Sequence, residues 1–294
     1  MCTGRCFKII IFFFMLKLTS IASITCWYGK FPWYFPYFLH SCSFNPTVDF
    51  YIITDNKNKI DNKPENVKII YKTLDEIKAS ASEKLGFSVN IDYPYKLCDF
   101  KPAYGFLFPE LIEGYDFWGI TDLDIVYGSI RNFMTEEILN NHDVISSRHD
   151  YITGSFCLFR NNNYVNQLFM KSKDYKKVFS NSIHYCFDEC NFLFEILKTG
   201  VSILEISNSI ESMTYVVKKE EKDKKLKAFF DFIIVEGLPG NIEWNKGKLI
   251  YKEIYEVMFY HLIQFKTACS NRKILKPIPG IYKFTRTSIV KIKK

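Results

Sequence analysis

Hydrophobic positions along the chain fall into short runs that alternate between the two-residue period of strands and the wider spacing of helices. Ser20 to Trp27 predicts a first strand, ended by Tyr28-Gly29-Lys30. Pro32 to Cys42 is aromatic with helical spacing, and Asn45-Pro46 closes it. Val48 to Thr54 and Val67 to Tyr71 predict a second and a third strand, separated by a polar loop from Lys57 to Asn66. Leu74 to Leu85 has helical spacing, and a short helix is expected near Tyr104 to Ile112. Next comes an acidic strand within Tyr115 to Gly128, in which apolar residues stand on both sides of Asp122 and Asp124. Strands that alternate with helices predict an α/β fold with a mostly parallel central sheet, whose ligands lie beyond the carboxyl ends of its strands.

Past Gly128 the pattern is mixed. Asp143 to Ser147, Ser155 to Phe159 and Val201 to Ile206 predict strands, while Asn163 to Met170 and Asp188 to Thr199 predict helices. Lys218 to Lys227 is a charge run of the kind found on solvated loops and helix faces. Phe229 to Val235 and Glu256 to Phe265 are expected as late strands, the second carrying His261. With no internal repeat and no low-complexity linker, the expectation is one domain over residues 20–270 and a basic C-terminal tail over 271–294. Residues 1–19 are expected to lie outside the fold or to act as a weak anchor. Their apolar run Ile9 to Leu16 is shorter than the ~20 residues a membrane span needs.

Composition narrows the class. At 294 residues and 48% hydrophobic content the chain can build a full core. The nine cysteines show no Cys-x-x-Cys pair and are expected as buried free thiols of a cytoplasmic protein, with the inner face of the membrane as the alternative location. Cys186 and Cys190 have helical spacing but no second Cys or His pair to complete a zinc site. The net charge of +7 is spread along the chain, densest at Lys218 to Lys227 and in the tail. It weakly favours an anionic substrate or a membrane surface, with peripheral association as an option, and makes no case for nucleic acid.

The candidate chemistry centres on Asp122 and Asp124. Carboxylates two apart on a strand share a face, and at the strand's end they can hold one hard divalent ion. Unpaired charges inside a β segment would be costly, which favours metal binding over two solvated aspartates.

Two stretches carry a resemblance. Tyr95-Lys96-Leu97-Cys98-Asp99-Phe100-Lys101-Pro102-Ala103-Tyr104-Gly105 precedes Tyr115-Asp116-Phe117-Trp118-Gly119-Ile120-Thr121-Asp122-Leu123-Asp124. The chain thereby resembles nucleotide-sugar glycosyltransferases of the GT-A type, and more closely a bacterial group found with surface-polysaccharide genes. The resemblance implies a GT-A-like, Rossmann-like domain with a mixed C-terminal half. It also implies transfer of a sugar from a nucleotide diphosphate donor, such as a UDP-hexose, to an oligosaccharide or lipid-linked surface glycan. Asp122 and Asp124 would hold Mn2+ or Mg2+, and His261 is placed like a third ligand, with a core histidine as the equal alternative. Lys96 or Lys101, flanking Asp99, would reach the donor, and Thr121 and Gly154 would lie against it. Tyr28, Gly29 and Asp55 would meet base and ribose, although Asp55 also suits a turn. Asp188 and Glu189 would bind the acceptor or act as base, or Asp188 would simply cap a helix. Two other classes stay open. A nucleotidyltransferase would normally show a glycine-rich loop where Tyr28-Gly29-Lys30-Phe31-Pro32 stands. A carbohydrate-binding module would normally be all-β.

Overall fold

The computed structural model describes residues 18–292; the apolar run Ile9 to Leu16 lies outside the described residues. A seven-stranded sheet forms the centre. Its strands are β1 (Ile21–Trp27), β2 (Val48–Thr54), β3 (Val67–Tyr71) and β4 (Phe117–Thr121), then, past β5 (Ile125–Tyr127), β6 (Val144–Ser146), β7 (Phe156–Arg160) and β8 (Ala228–Phe230). The order is β3-β2-β1-β4-β7-β6-β8. β1 pairs in parallel with both β2 and β4, and only β7 runs against its neighbours. The expected α/β architecture with a mostly parallel central sheet is therefore present. The chain winds outward from β1 to β3 and then returns to β4 on the other side of β1. Such a switch point leaves a crevice at the carboxyl ends of the two strands.

Burial explains why these segments are strands. All of β4 is buried, and most of β1, so both run through the core rather than along its edge. Large aromatics fill the two faces of the sheet, with Trp118 and Phe100 on one and Phe38, Phe50 and Phe117 on the other. The helix Leu74–Leu85 is set at both ends by its sequence. Thr73 and Glu76 form a reciprocal capping box, and Gly86 ends it in the left-handed region at φ +75°.

Two smaller sheets complete the molecule. β9 (Ile234–Val235) and β13 (Phe259–His261) join β5. β10 (Ile242–Asn245), β11 (Lys248–Tyr251), β12 (Tyr255–Val257), β14 (Ile281–Phe284) and β15 (Ile289–Lys291) make an antiparallel five-stranded sheet over Trp244 and Tyr282.

Several expectations are corrected, most of them past Gly128. Residues 271–294 are not simply a tail, because β14 pairs with β10 and buries Tyr282 and Phe284. Asp188 to Thr199 is not a helix. Cys186, Asn191 and Phe192 hold φ of +51°, +53° and +62°, which a right-handed helix excludes, and only Phe194–Leu197 is helical. Val201 to Ile206 is a 3-10 turn, with the Ser202 hydroxyl accepting from Leu204 N–H, and not a strand. Asn163 to Met170 breaks at Gln167 between an α turn and a 3-10 turn. The short helix near Tyr104 to Ile112 breaks at Phe108, where Pro109 disfavours a helical residue before it. Each late strand divides between two sheets, and Phe265 opens the helix Phe265–Ala268. The charge run begins in the helix Met213–Lys222, which exposes Lys219 and Lys222 but buries Glu220 against Tyr164, and it continues as an exposed turn over Asp223, Lys224 and Lys225.

Candidate functional site

Asp122 and Asp124 do not share a strand. β4 ends at Thr121 and β5 starts at Ile125, so the two aspartates and the buried Leu123 form the bend that carries the chain from the central sheet to the three-stranded one. The backbone fixes each separately. Asp122 N–H donates to the Ser155 carbonyl at 3.2 Å, and the Asp124 carbonyl accepts from Leu262 N–H at 2.7 Å. The second bond places the end of β13 against the bend. One side-chain ligand atom from each of Asp122, Asp124 and His261 lies within 4.8 Å of the others. Two carboxylates and an imidazole suit a hard or borderline divalent ion such as Mg2+ or Mn2+.

The cluster is electrostatically balanced. Lys101 Nζ donates to Asp122 at 2.7 Å and to the Gly154 carbonyl at 2.8 Å, and Lys266 Nζ donates to Asp124 at 2.7 Å. His261 Nε2 lies 3.5 Å from Asp124, while Nδ1 lies 3.1 Å from Glu236. Glu236 is itself held by Arg148 at 2.7 Å, whose guanidinium also clasps Asp150. This is the arrangement that orients an imidazole toward a metal, with a carboxylate on its far nitrogen. Burial works against charge on His261, but the bonds to Asp124 and Glu236 outweigh it and carry its pKa up to about 10. Burial likewise raises Asp124, yet His261 and Lys266 hold it well below the usual carboxylate range. On Lys101 the carboxylates of Asp122 and Asp188 overcome desolvation and keep the ammonium charged.

Asp188 and Glu189 stand across a cleft of about 540 Å³, which they line together with Lys101, Asp122, Asp124 and His261. Asp188 lies 3.8 Å from Lys101, and Glu189 accepts from Gly154 N–H at 2.8 Å. Burial pushes both carboxyls up. A side chain at 154 would overlap the Asp188 carboxylate, so the glycine there makes room for the protein's own acid.

The remaining expected residues divide. Tyr28 lines the cleft, after β1. Gly29 and Asp55 bind each other, Gly29 N–H donating to the carboxylate at 2.8 Å, and neither lines the cleft. Thr121 is buried against the Tyr127 hydroxyl, also off the cleft. Lys96 cannot reach a ligand. It is fully buried, 2.8 Å from Asp99, and donates to the carbonyls of Val178 and Ile183. Asp99 accepts from the backbone N–H groups of Tyr185 and Phe187 at 3.0 and 2.9 Å, so this pair anchors the loop that leads into Asp188. Sequence reasoning missed Arg148, Glu236 and Lys266, which no spacing distinguishes from surface charges. It also missed the rings at the mouth of the cleft, Tyr95 and Phe192, which flank His184 at centroid distances of 4.8 and 5.6 Å.

No curated protein matches the sequence. Among solved structures, the chain is similar to a galactosyltransferase, LgtC, in complex with donor and acceptor sugar analogues. The match has a TM-score of 0.33 and 11% identity over 57% of this chain and 67% of that one. It is also similar to the apo glycosyltransferase GlyE of Streptococcus pneumoniae, with a TM-score of 0.36 and 10% identity over 72% of this chain and 45% of GlyE. Apo mouse xyloside xylosyltransferase 1 gives a TM-score of 0.35 and 9% identity over 54% and 71%. At sequence level, residues 23–291 match a family described as a family of unknown function, DUF6625. That span takes in nearly every described strand and the whole of the cleft, and the chain belongs to this family.

Proposed function

We propose that the protein is a metal-dependent glycosyltransferase that takes a sugar from a nucleotide diphosphate, a UDP-hexose in the simplest case, and passes it to a glycan hydroxyl. The observation that carries this reading is the joining, in one cleft at the switch point of a parallel sheet, of an Asp122–Asp124–His261 cluster with the carboxyl pair Asp188 and Glu189. When bound, Mn2+ or Mg2+ would neutralise charge on the leaving diphosphate.

The chain's own residues supply the rest. Lys101 and Lys266 already neutralise Asp122 and Asp124, and both can turn to phosphate oxygens once a cation takes over that task. Tyr28, half-buried at the end of β1, offers a face to the nucleotide base. Tyr95 and Phe192, respectively 63% and 56% exposed at the mouth, offer apolar faces to an acceptor sugar. Asp188 and Glu189, with raised pKa values, sit where they can exchange a proton with the acceptor hydroxyl or hold it in place.

Incubating the protein with Mn2+ and a panel of UDP-hexoses tests donor, metal and enzyme class together. Release of UDP that requires Mn2+ and is lost in Asp188→Asn is expected. If no nucleotide sugar in a panel extended to GDP and dTDP donors is either turned over or bound, the reading is wrong.

A further inference from the structure

Basic residues occur along the whole chain, but the excess that makes the net charge of +7 falls in its last segment. Residues 241–294 hold 12 of the 39 Lys and Arg but only 3 of the 32 Asp and Glu, so the preceding 240 residues are close to neutral. This segment contains the whole five-stranded sheet. Backbone contacts gather four of those 12 basic residues at one end of that sheet. The β11–β12 turn starts at Lys252, whose N–H donates to the Asn241 carbonyl at 3.0 Å, beside the start of β10. The β14–β15 turn holds Arg286, which packs within 3.3 Å of the Cβ position at Gly240. Ser270 N–H donates to Thr287 in that same turn at 2.9 Å, so Arg272 and Lys273 depart from this end as well. All four basic residues are exposed, and none pairs with a carboxylate among the described residues. Glu253 is the acidic residue of the group. Beside it project Ile254, 76% exposed, and Tyr255, 58% exposed. The same end is one short loop away from the site, since Gly237 to Gly240 connects it to Glu236, the residue that bonds His261.

We propose that this end of the five-stranded sheet docks on an anionic lipid surface, Lys252, Arg272, Lys273 and Arg286 meeting the headgroups while Ile254 and Tyr255 enter the interface. Clustered cations attract an anionic leaflet, and adjacent exposed apolar side chains add the short-range term that a purely electrostatic partner would leave unused. An exposed isoleucine beside a basic cluster fits a lipid boundary better than a fully solvated polyanion. The inference goes beyond the proposed sugar transfer and stands or falls separately from it.

Sedimentation of the full chain with vesicles tests it without any measure of catalysis. Vesicles of 70% phosphatidylcholine and 30% phosphatidylglycerol should bind the protein, and pure phosphatidylcholine should not. Changing Lys252, Arg272, Lys273 and Arg286 together to Glu should lower the partition roughly tenfold or more with Tm unchanged, because each charge near the surface contributes. Ile254→Asp alone should lower it about threefold, as apolar insertion is lost. Changing Lys218, Lys222, Lys224 and Lys225 to Glu serves as the charge-matched control and should leave binding nearly intact. Three results would overturn the proposal: no binding to the anionic vesicles, equal loss in the control, or binding that survives the fourfold change. Tighter binding to dextran sulfate than to vesicles, indifferent to Ile254→Asp, would assign the surface to an acidic polysaccharide instead.

Discussion

Asp122 and Asp124 look equivalent in the sequence and are not equivalent in the fold. The Asp122 side chain is 32% exposed and shares Lys101 with other acceptors, whereas Asp124 is 9% exposed and compensates both His261 and Lys266. Asp122→Asn should therefore abolish Mn2+-dependent turnover with little change in Tm. Asp124→Asn should also abolish it, and in addition cost about 2–5 kcal/mol, because it leaves two cations facing a neutral amide. Denaturant titration of the two variants without metal checks the difference; equal losses would contradict it. One position further from the cluster, Glu236→Gln should weaken Mn2+ binding about 10- to 100-fold while His261 stays in place, as expected for a residue that orients a ligand. Paramagnetic detection of free Mn2+ reads this directly. Spacing and residue type drew attention to the aspartates and to His261, since acids inside an apolar run are chemically conspicuous. Glu236 and Arg148 are charged residues in ordinary surroundings, and only the pairing of β13 with β9 gives them a role.

At the scale of elements, the loop before Asp188 depends on the buried pair Lys96–Asp99. Three of its backbone groups (the Ile183 carbonyl and the N–H groups of Tyr185 and Phe187) end on those two side chains, as does the carbonyl of Val178 in the helix Tyr175–Ser180 just before it. Lys96→Met should cost about 3–5 kcal/mol, since it strands a buried carboxylate. It should lower turnover through the displaced Asp188 while Mn2+ affinity changes little, and that split between binding and rate is what to measure. The pair also sets an acid limit. Burial alone would raise Asp99, but His184 and Lys96 hold its pKa below the ordinary value. A carboxylate held low in the folded state gives stability that is present above the unfolded value of ~3.9 and is lost as pH falls through the folded one. Asp99→Asn should therefore flatten the fall of stability below about pH 4, and an unchanged acid limb would contradict the assignment. The first half of the chain was legible to within a residue or two at its first three strands, because strand-period runs with clear turn signals survive packing. Asp188 to Thr199 was not. Its apolar spacing is helical, and the positive φ values that break it come from tertiary contacts of the loop rather than from glycine.

For the molecule as a whole, the five-stranded sheet is structural and not an appendage. Tyr282 and Phe284 pack with Trp244, Tyr37 and Phe265 in a single aromatic cluster. Ending the chain after Ser270 should give an aggregating or protease-sensitive product, and a fully stable truncated protein would restore the idea of a dispensable tail. Strand periodicity is present in Ile281–Phe284, but Lys and Pro around it give the stretch the look of a solvated terminus, which is why its partner β10 could not be foreseen.

The bend at Asp122-Leu123-Asp124 has one more consequence. There the backbone leaves one sheet and enters another, while His261 arrives on β13, the middle strand of that second sheet, paired with Ile125 of β5. A cation gripped by all three side chains would act as a rivet through the seam between two layers, fastening them as well as serving chemistry. Loading should therefore show up in mechanics before any sugar is present: at about 100 times its Kd, Mn2+ should raise Tm by roughly 5 °C and slow proteolysis of the loops between the layers. In Asp122→Asn, where the rivet has lost one flange, both effects should vanish.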